Sequence, residues 1–306
     1  MTALDTLHPA RPTLWGRLSG GHAVPVLTVL LAVLALWYAA AVWMNAPQIR
    51  DEAARNNVEL STAELVGRAY AMERPVLPAP HQIASELWRT TVAMAPTSKR
   101  SLVYHAWVTV SATLAGFAIG AVLGVVLAVG IVHSRVLDRS LMPWIIASQT
   151  IPILAIAPMI VVVLGNIGFT GVLPKAVISA YLSFFPITIG MVKGLRSPDP
   201  IQRELLHTYN ATESQAFFKL RWPASVSFLF PSFKVAIALS LVGAIVGELP
   251  TGAAAGIGAR LLSGSYYGQT VQIWSALFMA AFLAMLAIAL VALAERAVAL
   301  GRGGRL

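Results

Sequence analysis

Long apolar runs separated by short polar turns set the organisation of this chain. Runs at 25–44, within 104–132, 141–164 and 172–192, and at about 231–249 and 271–293 recur along it. Each approaches or exceeds the roughly 20 residues that an α-helix needs to cross a bilayer. They predict an all-α polytopic membrane protein with about six transmembrane helices and both termini on one side. The first run follows Arg11 and Arg17 in the manner of a signal peptide. It is longer than the apolar core of a signal peptide, about 7–15 residues, and reads as a retained span. Trp37, Tyr38 and Trp43 close it, as an interfacial aromatic belt would. The polar stretch at 45–100 carries both charge signs. Within it, Arg50 to Glu73 has helix-forming composition, and Ser61 with Glu64 three residues on forms a capping box.

Composition agrees with lipid as the main solvent: 57% of the 306 residues are hydrophobic and 11% charged, and the mean hydropathy is +0.73. The formal charge of +9 is scattered between apolar spans and makes no basic face for nucleic acid. Sorting Lys and Arg by loop places Arg135, Arg139, Lys193, Arg196, Arg203, Lys219, Arg221, Arg296, Arg302 and Arg305 with Arg11 and Arg17 on one side. The positive-inside rule makes that side cytoplasmic. The expected layout is a cytoplasmic segment at 1–24, a first span at 25–44, a periplasmic segment at 45–100, a five-span core at 101–295 and a cytoplasmic tail at 296–306. Lys234, one turn into the fifth span, is expected to snorkel to the cytoplasmic interface. The chain has no cysteine, which excludes disulfides, thiolate metal sites and cysteine nucleophiles, and its six histidines show no metal-ligand spacing.

Gly116, Gly120 and Gly124 recur every four residues and line one helix face with hydrogen, which admits a close neighbour. Pro152, Pro158, Pro186 and Pro231 are expected to kink or end helices.

The segment from Ser197 to Pro223 reads as two short amphipathic helices joined by a tight turn. Asp199 caps the first, with Pro200 at its first position. Ile201, Leu205, Leu206 and Tyr209 share a face, and Asn210 stands where a left-handed residue ends the helix. Thr212 and Gln215 cap the second helix, Phe217, Phe218 and Leu220 form its apolar side, and Pro223 ends it. Composition leaves two settings for such a hairpin, a partner's groove or the bilayer surface. The register of Glu204-Leu205-Leu206, three residues, Asn210, nine residues, then Leu220, Arg221, Trp222 and Pro223 tips the reading toward the groove through a resemblance. It resembles the EAA motif of bacterial ABC importer permeases.

From Leu77 to Glu295 the chain is similar to the permease subunits of nitrate, taurine, aliphatic sulfonate and pyrimidine-precursor importers, within the binding-protein-dependent transport family. The matching pieces are Leu77-Pro78-Ala79-Pro80, Ile151 to Pro158, Lys193 to Ser197, Pro231 to Ala236 with Lys234 in an arginine's place, Val246-Gly247-Glu248 and Gly256-Ile257-Gly258. The resemblance implies that 199–223 is a coupling helix seated in a cleft of an ATP-binding cassette ATPase. Glu204, Leu205, Leu206, Asn210, Phe217, Leu220 and Pro223 are then the coupling residues. Two leucines stand where the motif has alanines, which implies a roomier cleft or a hairpin that sits higher in it, and Asn210 preserves the turn of the motif's glycine. Further implied partners are a second permease subunit, identical or paralogous, and a periplasmic solute-binding protein. The implied location is the bacterial inner membrane and the implied mechanism is alternating access. No Walker A sequence occurs, so this chain is expected to bind no cofactor, with ATP and Mg held by the partner ATPase.

Polar groups in or beside spans point to the solute path: Gln149 and Thr150 next to Pro152, Asn166, and Glu248. Glu248 reads either as a solute contact or as a structural carboxylate pairing with Arg260. The stretch from Thr251 to Gln269 reads either as a re-entrant element or as an outer loop. A rhomboid-type protease, suggested by Ser263-Gly264-Ser265, lacks a histidine on a partnering span. An ion-coupled secondary carrier is the alternative transporter, although no inverted repeat is visible and such a carrier has no use for the hairpin.

Overall fold

The computed structural model describes residues 23–250 and 255–301, and all regular structure among them is helical. Arg11, Arg17, Thr251, Arg302, Arg305 and nearly all of the 1–24 segment lie outside the described residues. Two units are distinct, Met1–Ser85 and Glu86–Leu306.

In the first unit the predicted span at 25–44 is the start of a longer helix, α1 (Ala23–Arg55, 33 residues). Its early turns expose Val24 to Leu36, as a lipid-facing helix does, whereas Ala41, Asn45, Ala46, Ile49 and Ala53 are buried. That second stripe, spaced every four residues, continues the helix beyond the apolar run because it has a partner to pack on. The partner is α2 (Thr62–Ala71), which begins at the expected Ser61–Glu64 capping box. Two bonds from Ser61, backbone first, hold the exposed Glu64 carboxyl below the usual carboxylate range. The short helix expected within Arg50 to Glu73 is α2, and the start of that stretch belongs to α1, parted from it where Asn57 turns left-handed at φ 53°. Asn45 orders the chain beyond α2. Its Oδ1 accepts from the N–H groups of Val76 and Leu77 at 2.7 and 3.2 Å, and its Nδ2 donates to the Leu77 carbonyl at 3.0 Å. A third helix, α3 (Pro80–Thr91), carries the chain into the second unit.

The second unit is built on three helices, α4 (Leu102–His133), α7 (Val172–Leu195) and α10 (Trp222–Glu248), which match the expected second, fourth and fifth spans. Small residues decide how they pack. A Cβ on Gly116 would stand 2.2 Å from Ser179 Cβ, and one on Gly124 2.9 Å from Ile187 Cβ, so the glycine face of α4 lies directly on α7. α7 meets α10 equally closely, with a Cβ on Gly243 falling 2.7 Å from Ser179 Cα, and Ser240 of α10 donates to the Thr113 carbonyl of α4 at 2.8 Å. Such small-residue contacts replace the hydrophobic driving force that is missing between helices in lipid.

The expected third span is broken. α5 (Arg135–Ser148) and α6 (Ile153–Asn166) meet at 101° across residues 149–152. Each is 14 residues, about 21 Å, so neither alone crosses a core of about 30 Å. Pro152 has no N–H to continue the helical ladder, and it sets the break. Pro231, by contrast, sits inside α10 and does not start it. The last span, α12, runs over Thr270–Gly301, beyond its predicted end. Among the described residues, five helices are long and apolar enough to cross a membrane, or six if the bent pair is one span.

Candidate functional site

The hairpin forms where its caps place it. The Asp199 carboxylate accepts from Ile201 N–H at 2.8 Å and opens α8 (Pro200–Thr208). Asn210 closes the turn at φ 52°, and Ala211 N–H donates to the Leu206 carbonyl at 3.0 Å. This is the expected left-handed asparagine, tolerated because its short amide side chain bonds locally. Thr212 and Gln215 then cap each other's backbone, at 2.9 and 3.3 Å, to start α9 (Glu213–Ala216).

From here the structure departs from the sequence reading. The second arm does not end at Pro223. It passes through a π turn at Phe217–Arg221, in which Trp222 N–H donates to the Phe217 carbonyl, and runs straight into α10. A proline at 223 offers no N–H and crowds the carbonyl four residues back, and the wider turn just before it lets the helix absorb both defects. The hairpin's second arm is thus the extension of a span, with Pro223 in the first turn of α10.

The seven predicted coupling residues divide by environment. Glu204, Leu205 and Asn210 are exposed, Leu206, Leu220 and Pro223 are half-buried, and Phe217 is buried. Phe217 roots the hairpin in an apolar cluster with Ile131, Ile145, Met191 and Leu195. Its ring also meets His133 at 5.1 Å. Arg196 pairs with Asp138 at 2.8 Å and ties the end of α7 to α5. Outward, Ile201, Leu205 and Tyr209 make an apolar stripe four residues apart, at 72%, 55% and 77% exposure. Substituting Asn210 separates turn geometry from side-chain identity. Asn210→Gly is expected to leave the hairpin intact, while Asn210→Val should cost about 1–2 kcal/mol, because a β-branched residue resists the left-handed region. Hydrogen exchange of Tyr209 to Thr212 amides reads the difference.

Of the expected solute-path residues, Gln149 and Thr150 are exposed at the α5–α6 break. Thr150 Oγ1 donates to the Ala147 carbonyl at 2.8 Å, and Tyr181 donates its phenol proton to the Ser148 carbonyl, which satisfies part of the helix end. Asn166 is exposed at the end of α6.

Glu248 is placed differently, at 0% exposure. Its charged neighbour is Lys175, 3.8 Å away, and not the anticipated Arg260. Arg260, on α11 (Ile257–Tyr266), lies nearer Glu86 and Arg89, and burial holds its pKa below the ordinary value. The Thr109 hydroxyl lies 2.9 and 3.1 Å from the two Glu248 oxygens and donates to the carboxylate. Gly258 N–H donates to Oε2 at 2.7 Å. Gly256, at φ 131°, must be glycine, since a Cβ there would sit 2.1 Å from Glu248 Cδ. Thr109, His105 and Lys175 went unread in the sequence. Lys175 carried the available signal, a cation one turn inside an apolar helix. Lys234 likewise does not snorkel freely but pairs with Glu295 across α10 and α12.

Residues 120–300 match the family of binding-protein-dependent transport system inner membrane components. A formylaminopyrimidine transport permease of Halalkalibacterium halodurans is 30% identical over 187 residues, 61% of this chain and 68% of its own length. A riboflavin transport system permease of Chloroflexus aurantiacus is 31% identical over 224 residues, 72% of this chain and 78% of its own. A nitrate import permease of Synechocystis is 27% identical over 138 residues, 45% and 48% of the two chains. With the helical membrane core and the hairpin in place, the chain belongs to the binding-protein-dependent transport system inner membrane component family, as a permease subunit.

Proposed function

We propose that this permease carries a small solute inward through the inner membrane, powered by separate ATP-binding cassette subunits that dock on the hairpin at 199–223. The observation that carries this reading is the exposed stripe of Ile201, Leu205 and Tyr209 on a capped hairpin in EAA register. Exposed apolar side chains at helical spacing match a groove on a partner. The hairpin faces the cytoplasm, with the N- and C-termini on the same side, by the distribution of Lys and Arg among the short loops. ATP and Mg are held by the ATPase, and this chain binds neither. A second permease, identical or paralogous, completes the path, and a periplasmic binding protein delivers solute. Gln149, Thr150 and Asn166 line that path, where a broken helix presents polar groups at membrane depth. Named relatives handle formylaminopyrimidine, riboflavin and nitrate, and the solute here is drawn from that range of small heterocycles and anions.

Purification of the tagged chain from its own host's membranes in mild detergent, with mass spectrometry of what accompanies it, tests the reading. An ATP-binding subunit is expected in the complex. A chain recovered alone, and active in transport without ATP, would instead make it an ion-coupled carrier.

A further inference from the structure

The hairpin and Glu248 stand at opposite ends of one helical rod. Residues Glu213–Glu248 form 36 residues of continuous helix, about 50 Å long. Its first turns are the second arm of the hairpin and its last residue is Glu248. α7 lies against this rod without slack at both ends. A Cβ on Gly194 would fall 2.8 Å from Ser225 Cα, and one on Gly243 2.7 Å from Ser179 Cα. Backbones this close do not slide past each other, and α4 presses on α7 in the same way through Gly116 and Gly124.

The far ends of these helices grip one short segment. Four consecutive residues each bond through the backbone to a different side chain. Lys175 of α7 donates to the Ala255 carbonyl at 3.2 Å. Gly256 N–H donates to His105 Nδ1 at 2.9 Å, which leaves the ring proton on Nε2 to donate to the Lys99 carbonyl at 3.0 Å. Ile257 N–H donates to Thr109 Oγ1 at 2.9 Å, and Gly258 N–H to Glu248 at 2.7 Å. All four side chains are buried. Burying three ionisable groups and a hydroxyl is costly unless each is satisfied, and here they satisfy one another and the segment.

We propose that His105, Thr109, Lys175 and Glu248 form a clamp that makes residues 255–258 and α11 move as one body with α4, α7 and α10. A stroke applied at the hairpin then reaches the outer face as a displacement of α11. The four are positioning residues, and Glu248 serves the clamp and not the solute. This inference rests on the hairpin being the ATPase docking element.

A chain without cysteine allows the test. Nitroxide labels on Val242→Cys in α10 and Ser265→Cys in α11, both exposed positions, report the distance between rod and clamped helix. It is measured by pulsed EPR on the nanodisc-embedded complex, without nucleotide and after trapping with Mg-ATP and vanadate. One narrow distance, unchanged between the two states, is expected. Thr109→Val should broaden it and make it respond to nucleotide, and Thr109→Ser, which keeps the hydroxyl, should restore it. Glu248→Gln should act like Thr109→Val. The clamp is overturned if the unmodified distance shifts between states by more than about 2 Å, the scale that separates rearrangement from rigid behaviour. It is equally overturned if Thr109→Val leaves the distance narrow. Should no ATPase accompany the chain, the docking reading fails on its own, and the width of the distribution in the isolated chain, with and without Thr109→Val, still decides the clamp.

Discussion

Gly116→Leu will prevent the chain from accumulating as a folded protein, whereas Gly165→Ala will not. The Cβ alone, before any further carbon, would stand 2.2 Å from Ser179 Cβ and 2.6 Å from the Ala176 carbonyl oxygen. The second of these is backbone and cannot swing aside. α7 has little room to shift, because Ser179 is also held against α10, where a Cβ on Gly243 would fall 2.7 Å from its Cα. Overpacking by extra methylenes costs about 1–3 kcal/mol even where side chains can adjust. Four carbons against a fixed backbone should exceed that range and consume much of a marginal stability of about 5–15 kcal/mol. Gly165 on α6 has nothing within 4 Å of its Cβ. Alanine there should be neutral, or stabilising by up to about 1 kcal/mol from helix propensity. Tryptophan-fluorescence melting and size exclusion in detergent read both variants. A Gly116→Leu protein that is monodisperse and melts with the parent would show that α4 and α7 are not packed as described.

That glycine face was legible in the sequence because close packing needs absent side chains at a fixed period, and a period is visible in one dimension. The hairpin was legible for a similar reason. Caps are local, so Asp199, Asn210 and the Thr212–Gln215 pair announce themselves within a few residues. What failed were boundaries set by tertiary structure. α1 outruns its apolar segment because Ala41, Asn45, Ile49 and Ala53 find a packing partner beyond the lipid-facing turns. Pro223 and Pro231 were read as helix breakers by a local rule, yet a π turn before one of them and the neighbouring helices keep the rod continuous.

The cluster around Glu248 was the least legible of all. His105, Thr109, Lys175, Glu248 and Gly258 come from four separate stretches of chain, and their shared purpose appears only when backbone groups of 255–258 fall between them. Periodicity within one helix cannot report a bond to a loop more than a hundred residues away. The single hint was energetic, a buried-looking Lys175 and Glu248 inside apolar helices, where an ionisable side chain is costly without a partner.

On the hairpin, burial changes which residue tests docking most cleanly. Leu206 is half-buried, so an arginine there disturbs the hairpin's own packing along with any partner. Leu205 is 55% exposed in the middle of the Ile201–Leu205–Tyr209 stripe. Leu205→Arg should therefore leave the chain's melting temperature where it was and release the ATP-binding subunit. A charge forced into an apolar groove, together with the lost leucine contact, should cost at least about 2 kcal/mol of binding, roughly thirtyfold in affinity. Tyr209→Ala should weaken docking by a similar amount, since a large exposed aromatic ring is the usual anchor of such a surface. Phe217→Ala is the counterpart. This ring faces inward against Ile131, Met191 and Leu195, so its truncation should lower the stability of the chain itself by about 3 kcal/mol. Quantitative pull-down and thermal melting of the three variants side by side separate the two faces. Were Leu205→Arg to retain the ATPase at parental stoichiometry, the stripe would not be the docking surface, and the partner would have to grip the hairpin by its polar edge at Glu204 and Asn210.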